Sequence, residues 1–306
     1  MSLRIFSRLS LSLEKLNKER RRFPVLVIHG GAGRRLLDQE RSSRLKRKLA
    51  LIRDRAYAVL VQKGAVQAVV EAVRLMENDP AFNAGRGSQL QLDGRARLTA
   101  SVMDGRRERF ASVINLEGIR NPVQVAHALL GEDHRILAGE GALLYARSKK
   151  FRVEETRTQA SVGRWRSMVH ARKKSSGADT VGACALDRFG GLASATSTGG
   201  MGMEHPGRVS DSGMSVANFA GRLLAVSATG VGEEIIEAGL ALRIATRYED
   251  GGTLSRAFYQ TFTALSHSRR RMGAIGVDRN GLIEAATTTE TLLFSARKGN
   301  RKVLLM

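Results

Sequence analysis

Apolar and polar positions along this chain switch repeatedly between a period of two and a period near 3.6. A short apolar run, Val25 to Ile28, leads into His29-Gly-Gly-Ala-Gly33. Leu45, Leu49, Ile52, Ala56, Val59 and Leu60 then recur at helical spacing behind a Ser42/Ser43 cap. This predicts a strand followed by a long helix, which Gly64 interrupts. Val66, Val69, Val70 and Val73 continue as a second helix until the proline of Asn78-Asp-Pro80 stops it. Short strands are expected around 88–92 and 97–103, and Pro122 suits the first turn of a further helix. Residues 148–178 have almost no apolar periodicity and many charges, so they read as a linker.

The second half opens with a hairpin. Thr180 to Leu186 turns over Asp187-Arg-Phe-Gly-Gly191 and returns as Leu192 to Thr198. With Phe189 as the pivot, Leu186 faces Leu192 and Thr180 faces Thr198 across the ladder. Another strand, Leu223 to Ala228, feeds Thr229-Gly-Val-Gly232 and a helix beginning near Glu233. Helices through about 249 and over 253–268 precede a last hairpin, Ala274 to Asp278 and Leu282 to Thr288, turned at Asn280-Gly281. This order of elements suits two mainly antiparallel sheets between helical layers, an α+β architecture.

Composition narrows the function classes. The chain has 306 residues, 42% of them apolar, enough for a sizeable core. It holds no apolar run approaching the roughly 20 residues of a membrane helix. Its single cysteine, Cys184, excludes an internal disulfide and a multi-cysteine zinc site and suits a reducing, cytoplasmic setting. The net charge of +21 suggests anionic partners, but it is concentrated. Residues 1–22, 34–55 and 147–174 together carry +19 of it, which leaves the rest of the body nearly neutral. A solvated basic periphery is the simpler reading, and nucleic acid stays possible without being favoured. Residues 1–23 read as a basic, poorly ordered extension without the apolar core of a secretory signal.

The candidate chemistry is sparse. His29-Gly-Gly-Ala-Gly33 matches neither a dinucleotide nor a P-loop pattern, and no GxSxG elbow accompanies it. The six histidines lack zinc spacing. Thr229-Gly230, between a strand and a helix, is either a structural cap or an oxyanion hole built from a hydroxyl and an N–H. Arg208 and Asp211 form either a surface ion pair or a pair of contacts for the carboxylate and ammonium of an amino acid.

Taken together, Thr180-Val-Gly, Ser197-Thr198-Gly-Gly, Pro206-Gly-Arg208-Val with Asp211-Ser212, and Thr229-Gly-Val-Gly232-Glu resemble the plant-type asparaginase/isoaspartyl peptidase family of N-terminal-nucleophile hydrolases. So do His29-Gly-Gly-Ala-Gly, Phe82-Asn-Ala-Gly-Arg-Gly87 and Val102-Met-Asp-Gly105, over residues 24–292. The resemblance implies an αββα four-layer sandwich made as a precursor that cuts itself between Asp179 and Thr180. Residues 24–147 and 180–306 would form its two halves, joined by the basic linker 148–179.

It further implies that Thr180 is the nucleophile, oriented by Thr198, with Thr229 and Gly230 as the oxyanion hole. Arg208, Asp211 and Gly232 would bind the aspartyl head of the substrate, and Asn83 would support the catalytic threonine. No catalytic cofactor is expected. A structural sodium would rest on main-chain carbonyls of Met76, Glu77, Asp79, Phe82, Ala84 and Arg86, and the processed αβ units would pair as a homodimer. The substrates implied are β-aspartyl dipeptides and asparagine. Glycosylasparaginase, a threonine-aspartase, or a degenerate polyanion-binding relative are the alternatives. Two departures bear on the leaving group: Ser210-Asp-Ser-Gly213, and Arg269-Arg-Arg-Met272, whose arginines are expected near the pocket mouth.

Overall fold

A computed structural model describes Leu13, Asn17 and residues 23–33, 38–171, 180–266 and 268–305. Twelve strands among these residues form two sheets. The first eight-stranded sheet contains β1 (Val25–Gly33), β2 (Leu98–Asp104), β3 (Arg109–Leu116), β4 (Ile136–Ala138), β5 (Val181–Leu186), β6 (Leu192–Thr198), β11 (Thr291–Lys298) and β12 (Arg301–Leu305), in the order β12-β11-β1-β5-β6-β2-β3-β4. The second sheet holds β7 (Asn218–Ala220), β8 (Leu224–Gly230), β9 (Met272–Asp278) and β10 (Ile283–Thr287), in the order β10-β9-β8-β7. All pairs are antiparallel except β3 with β4.

Three apolar layers separate four structural ones. The outer face of the large sheet packs on α1 (Gln39–Lys63), α2 (Ala65–Asn78), α3 (Pro122–Leu129) and α4 (Gly139–Ser148), through residues such as Ile28, Leu60, Val73, Val113 and Leu129. Val27, Cys184, Leu186, Ile275 and Phe294 fill the space between the sheets. The outer face of the small sheet packs on α6 (Gly232–Ala238), α7 (Leu240–Glu249) and α8 (Leu254–Ser266) through Val226, Ile244, Phe258 and Ala274. This is the expected αββα sandwich.

The central hairpin has the predicted register, with Leu186 opposite Leu192 and Val181 opposite Ser197. Gly64 ends α1 and precedes α2, and Pro122 stands in the first turn of α3, also as expected. Other elements differ. α1 begins earlier, because the Asp38 side chain, not a serine, accepts the Arg41 N–H as the N-cap. Residues 88–92 make no strand and instead turn over Asp93-Gly94, while Leu90 and Leu92 bond the main chain at 203 and 204.

The linker holds a helix, α5 (Gln159–His170), started by a Thr158/Ser161 capping box. Its Trp165 ring lies against Gly94, where a Cβ would stand 3.2 Å away. Residues 172–179, with Asp179 of the expected cleavage site among them, lie outside the described ones. So does most of the N-terminal extension, but Leu13 is fully buried in the inter-sheet core. Asn17 bonds Ile283 on the edge strand β10 in both directions, its Nδ2 donating to the carbonyl at 3.1 Å and its Oδ1 accepting the N–H at 3.0 Å. This part of the extension thus covers a sheet edge.

Candidate active site

Thr180 stands one residue before β5, and its Oγ1 donates to Thr198 Oγ1 at the end of β6 across 3.5 Å. Thr198 Oγ1 also accepts the Gly200 N–H at 3.2 Å. Both threonines are 4% exposed. Asn83 supports this end of β6: its Nδ2 donates to Gly200 O at 2.6 Å, its carbonyl accepts the Gly199 N–H, and its Oδ1 accepts the Gln89 N–H. The lone Cys184 is buried within β5, and burial pushes its thiol well above the usual range, so it is no competing nucleophile.

Strand β8 brings the third threonine to the same inter-sheet space. Ser227 Oγ reaches across to Thr196 Oγ1 on β6 at 2.9 Å, so alternation puts Thr229 on the side that faces the large sheet. Thr229 Oγ1 is buried and has no hydrogen-bond partner among the described atoms. Gly230 offers a second donor. Val231 N–H bonds Arg271 O on the β9 side, whereas Ala228 N–H bonds Ala217 O on the β7 side. The Gly230 N–H therefore points to the β7 side, beyond the last rung of the β7 ladder at Asn218 and Ser227.

The loop 206–213 carries Arg208 and Asp211 to the start of α6. A Cβ on Gly232 would lie 2.6 Å from Arg208 Nη2 and 2.7 Å from Asp211 Oδ1, so only glycine lets the pair close over this turn. Asp211 is 3% exposed. Burial pushes its carboxyl up to about 6, against the opposing Ser210 hydroxyl and Arg208 charge, and its Oδ2 is buried without a partner. Arg208 pairs with Glu233, and this partner together with nearby Asp211 and Glu204 outweighs the burial that disfavours its charge. A free acceptor beside a fixed guanidinium matches the ammonium and carboxylate of an amino acid.

The proposed carbonyl loop follows α2. A Cβ on Gly85 would lie 2.3 Å from Glu77 O and 2.8 Å from Arg120 O, and one on Gly87 would lie 1.8 Å from Phe82 O. Main-chain oxygens therefore crowd a turn that only glycines permit, a donor set that fits a hard monovalent cation. Not all six expected carbonyls are free, since those of Met76, Asp79, Phe82 and Ala84 accept the N–H groups of Asp79, Phe82, Ala84 and Gly87. Among the described residues no group of three or more His, Cys, Asp or Glu gathers as a metal site.

The arginine cluster does stand beside Gly230, as the Arg271 carbonyl shows. Two of its side chains turn to α6: Arg270 pairs with Glu237 at 3.2 Å and Arg271 with Glu234 at 3.6 Å. Arg269 is exposed and has no ion pair among the described residues. The motifs gave no signal for Glu204, which is half-buried beside Gly200 and whose carboxyl pKa is raised by burial. They also concealed the role of Glu233, whose partner is 25 positions away.

Among the described residues no helix is long and apolar enough to cross a membrane. A family profile described as Asparaginase matches residues 22–305. An isoaspartyl peptidase/L-asparaginase of Synechocystis sp. is 40% identical over 296 residues, covering 90% of this chain and 88% of that protein. A plant-type L-asparaginase of Pyrobaculum calidifontis is 40% identical over 289 residues, covering 87% and 94%. The isoaspartyl peptidase of Escherichia coli is 35% identical over 294 residues, covering 87% and 90%. With both the sandwich and nearly the whole length of sequence matched, this chain belongs to the asparaginase family.

Proposed function

We propose that the chain is a self-processing amidohydrolase that acts on β-aspartyl dipeptides and L-asparagine through Thr180. The observation that carries this reading is the pairing of Thr180 with Thr198 opposite a buried, unpartnered Thr229 hydroxyl. A threonine hydroxyl is a weak nucleophile without an adjacent base. Cutting the Asp179–Thr180 bond frees an α-amine on the same residue, with an ordinary pKa of about 8. Thr180 Oγ1 first attacks the Asp179 carbonyl, displacing its own amide nitrogen, and water then hydrolyses the ester so formed.

In the processed enzyme the α-amine takes the Thr180 hydroxyl proton as Oγ1 attacks the side-chain carbonyl of the substrate. Thr229 Oγ1–H and Gly230 N–H donate to the resulting oxyanion. The ammonium then returns the proton to the departing ammonia or peptide amine. Water attacks the aspartyl ester and releases aspartate. Arg208 holds the α-carboxylate and Asp211 the α-ammonium, with Gly232 allowing their approach. Asn83 supports the Thr198 end of β6.

A sodium ion on the carbonyls of the 76–87 turn, and pairing of processed αβ units as a homodimer in the cytoplasm, belong to the same reading. The ion would stiffen the turn that carries Asn83. The test is release of aspartate from β-aspartyl-leucine and from asparagine by purified protein, with Thr180→Ala as the control. Release by the parent alone is expected, and parental turnover by Thr180→Ala would refute the assignment.

A further inference from the structure

Behind Thr180 the two sheets enclose a polar chain that the proposed reaction leaves unused. His29 on β1 is completely buried and lies opposite Gly182 in the β1–β5 ladder. Its Nε2 meets Ser227 Oγ at 2.9 Å, and Ser227 Oγ meets Thr196 Oγ1 at 2.9 Å. Three polar side chains from three strands thus form one line between the sheets. Space for it is reserved at Gly182, where a Cβ would lie 2.0 Å from Ser227 Oγ and 2.4 Å from His29 Nε2.

The other ring nitrogen is the unusual feature. His29 Nδ1 is buried and lacks a well-formed hydrogen bond, an arrangement that costs about 1–3 kcal/mol in a folded protein. Besides Ser227, the group that acts on the ring is the Thr180 main chain. Burial drives the imidazole down to about 3, against the smaller opposing effect of that main chain, so the ring is neutral at working pH and carries one proton on one nitrogen. If Ser227 donates to Nε2, the proton lies on Nδ1, and that N–H needs an acceptor.

We infer that His29 is a positioning residue for the newly formed N-terminus, its Nδ1–H donating to the Thr180 carbonyl oxygen once the chain is cut. This inference rests on the reading of Thr180 as nucleophile. After cleavage Thr180 keeps only one covalent link to the chain, through its carbonyl carbon. A hydrogen bond to the carbonyl oxygen therefore fixes the direction of both the α-amine and Oγ1, the two groups that must converge on substrate. Ser227 and Thr196 hold the ring from the other side, and the two-sheet core keeps them from rotating away. His29 transfers no proton in this role.

Two substitutions separate the ring nitrogens. Asparagine places an amide N–H near the position of Nδ1 and abandons Ser227, while glutamine reaches Ser227 and leaves the Nδ1 position empty. On fully cleaved enzyme with β-aspartyl-leucine, His29→Gln should lower kcat about tenfold or more with KM little changed. His29→Asn should keep kcat within about threefold even where its thermal midpoint falls further. Equal kcat losses in the two variants, or a parental kcat in His29→Gln, would overturn the inference.

Where either variant fails to fold, nitrogen-15 NMR of histidine-labelled parent gives the answer directly. The processed protein should show His29 as the Nδ1–H tautomer, and an Nε2–H tautomer would overturn the assignment. Thr180→Ala distinguishes loss of the nucleophile from loss of its positioning. If that variant hydrolyses substrate, the nucleophile reading fails. If it is inert while His29→Gln is fully active, only the positioning role fails.

Discussion

Arg208 and Glu233 meet along one edge of the guanidinium, Nε donating to Oε1 at 2.6 Å and Nη2 to Oε2 at 2.9 Å. That leaves the Nη1–Nη2 edge of the fork to receive a second carboxylate. A lysine keeps the charge but has no second edge, so it must choose between Glu233 and substrate. Arg208→Lys is therefore expected to self-cleave normally and to raise KM for both asparagine and β-aspartyl-leucine by about tenfold, with kcat changed less. Steady-state kinetics check this, and an unchanged KM would reduce Arg208 to a surface ion.

Asp211 should trade stability for recognition. Its pKa is about 6 in the fold against 3.8 ordinarily, so between those values the native state holds more protons than the unfolded one. Stability therefore falls as pH rises through this window, and the full cost is present above pH 6. Asp211→Asn should remove up to about 3 kcal/mol of that cost at pH 8 and raise the thermal midpoint, while KM for asparagine rises sharply. In the parent, KM should climb as pH falls below about 6, when the carboxylate protonates and loses its hold on the ammonium. Calorimetry and pH-dependent kinetics test both halves.

The arginine cluster gives a prediction about the leaving group. Arg270 and Arg271 are engaged by Glu237 and Glu234, so Arg269 is the member with a guanidinium to offer. A dipeptide brings a terminal carboxylate that ammonia lacks. Arg269→Ala should thus lower kcat/KM for β-aspartyl-leucine about three- to tenfold relative to asparagine. An unchanged ratio between the two substrates would show that Arg269 serves only the surface.

α5 should matter little to turnover once the chain is cut. Trp165 packs on Gly94 and has no described contact with Thr180, Thr229, Arg208 or Asp211. Trp165→Ala in fully processed enzyme is expected to keep kcat/KM for β-aspartyl-leucine within about twofold. A tenfold loss in the same assay would make the connector part of the site.

Legibility differs from element to element for physical reasons. The Thr180–Thr198 pairing is readable because a five-residue loop and strict alternation fix a hairpin register locally. The oxyanion candidates are readable because a threonine and glycines mark where β8 gives way to α6. By contrast α5 is concealed by a basic segment in which Val162, Trp165, Met168 and Val169 are the helix's few large apolar residues, and the contact that holds it lies some 70 positions away at Gly94. β11 and β12 follow a hairpin that already looks terminal, yet β11 pairs with β1 near the centre of the large sheet. The His29–Ser227–Thr196 line is invisible in the sequence because its three members lie on three strands of two sheets.

The central claim, that one threonine is made into a catalyst by cutting the bond before it, is tested most directly by intact-mass spectrometry of purified protein beside Thr180→Ala. The parent should give two fragments meeting between Asp179 and Thr180, and the variant one uncut chain. A parent that stays uncut while hydrolysing β-aspartyl-leucine would contradict the account.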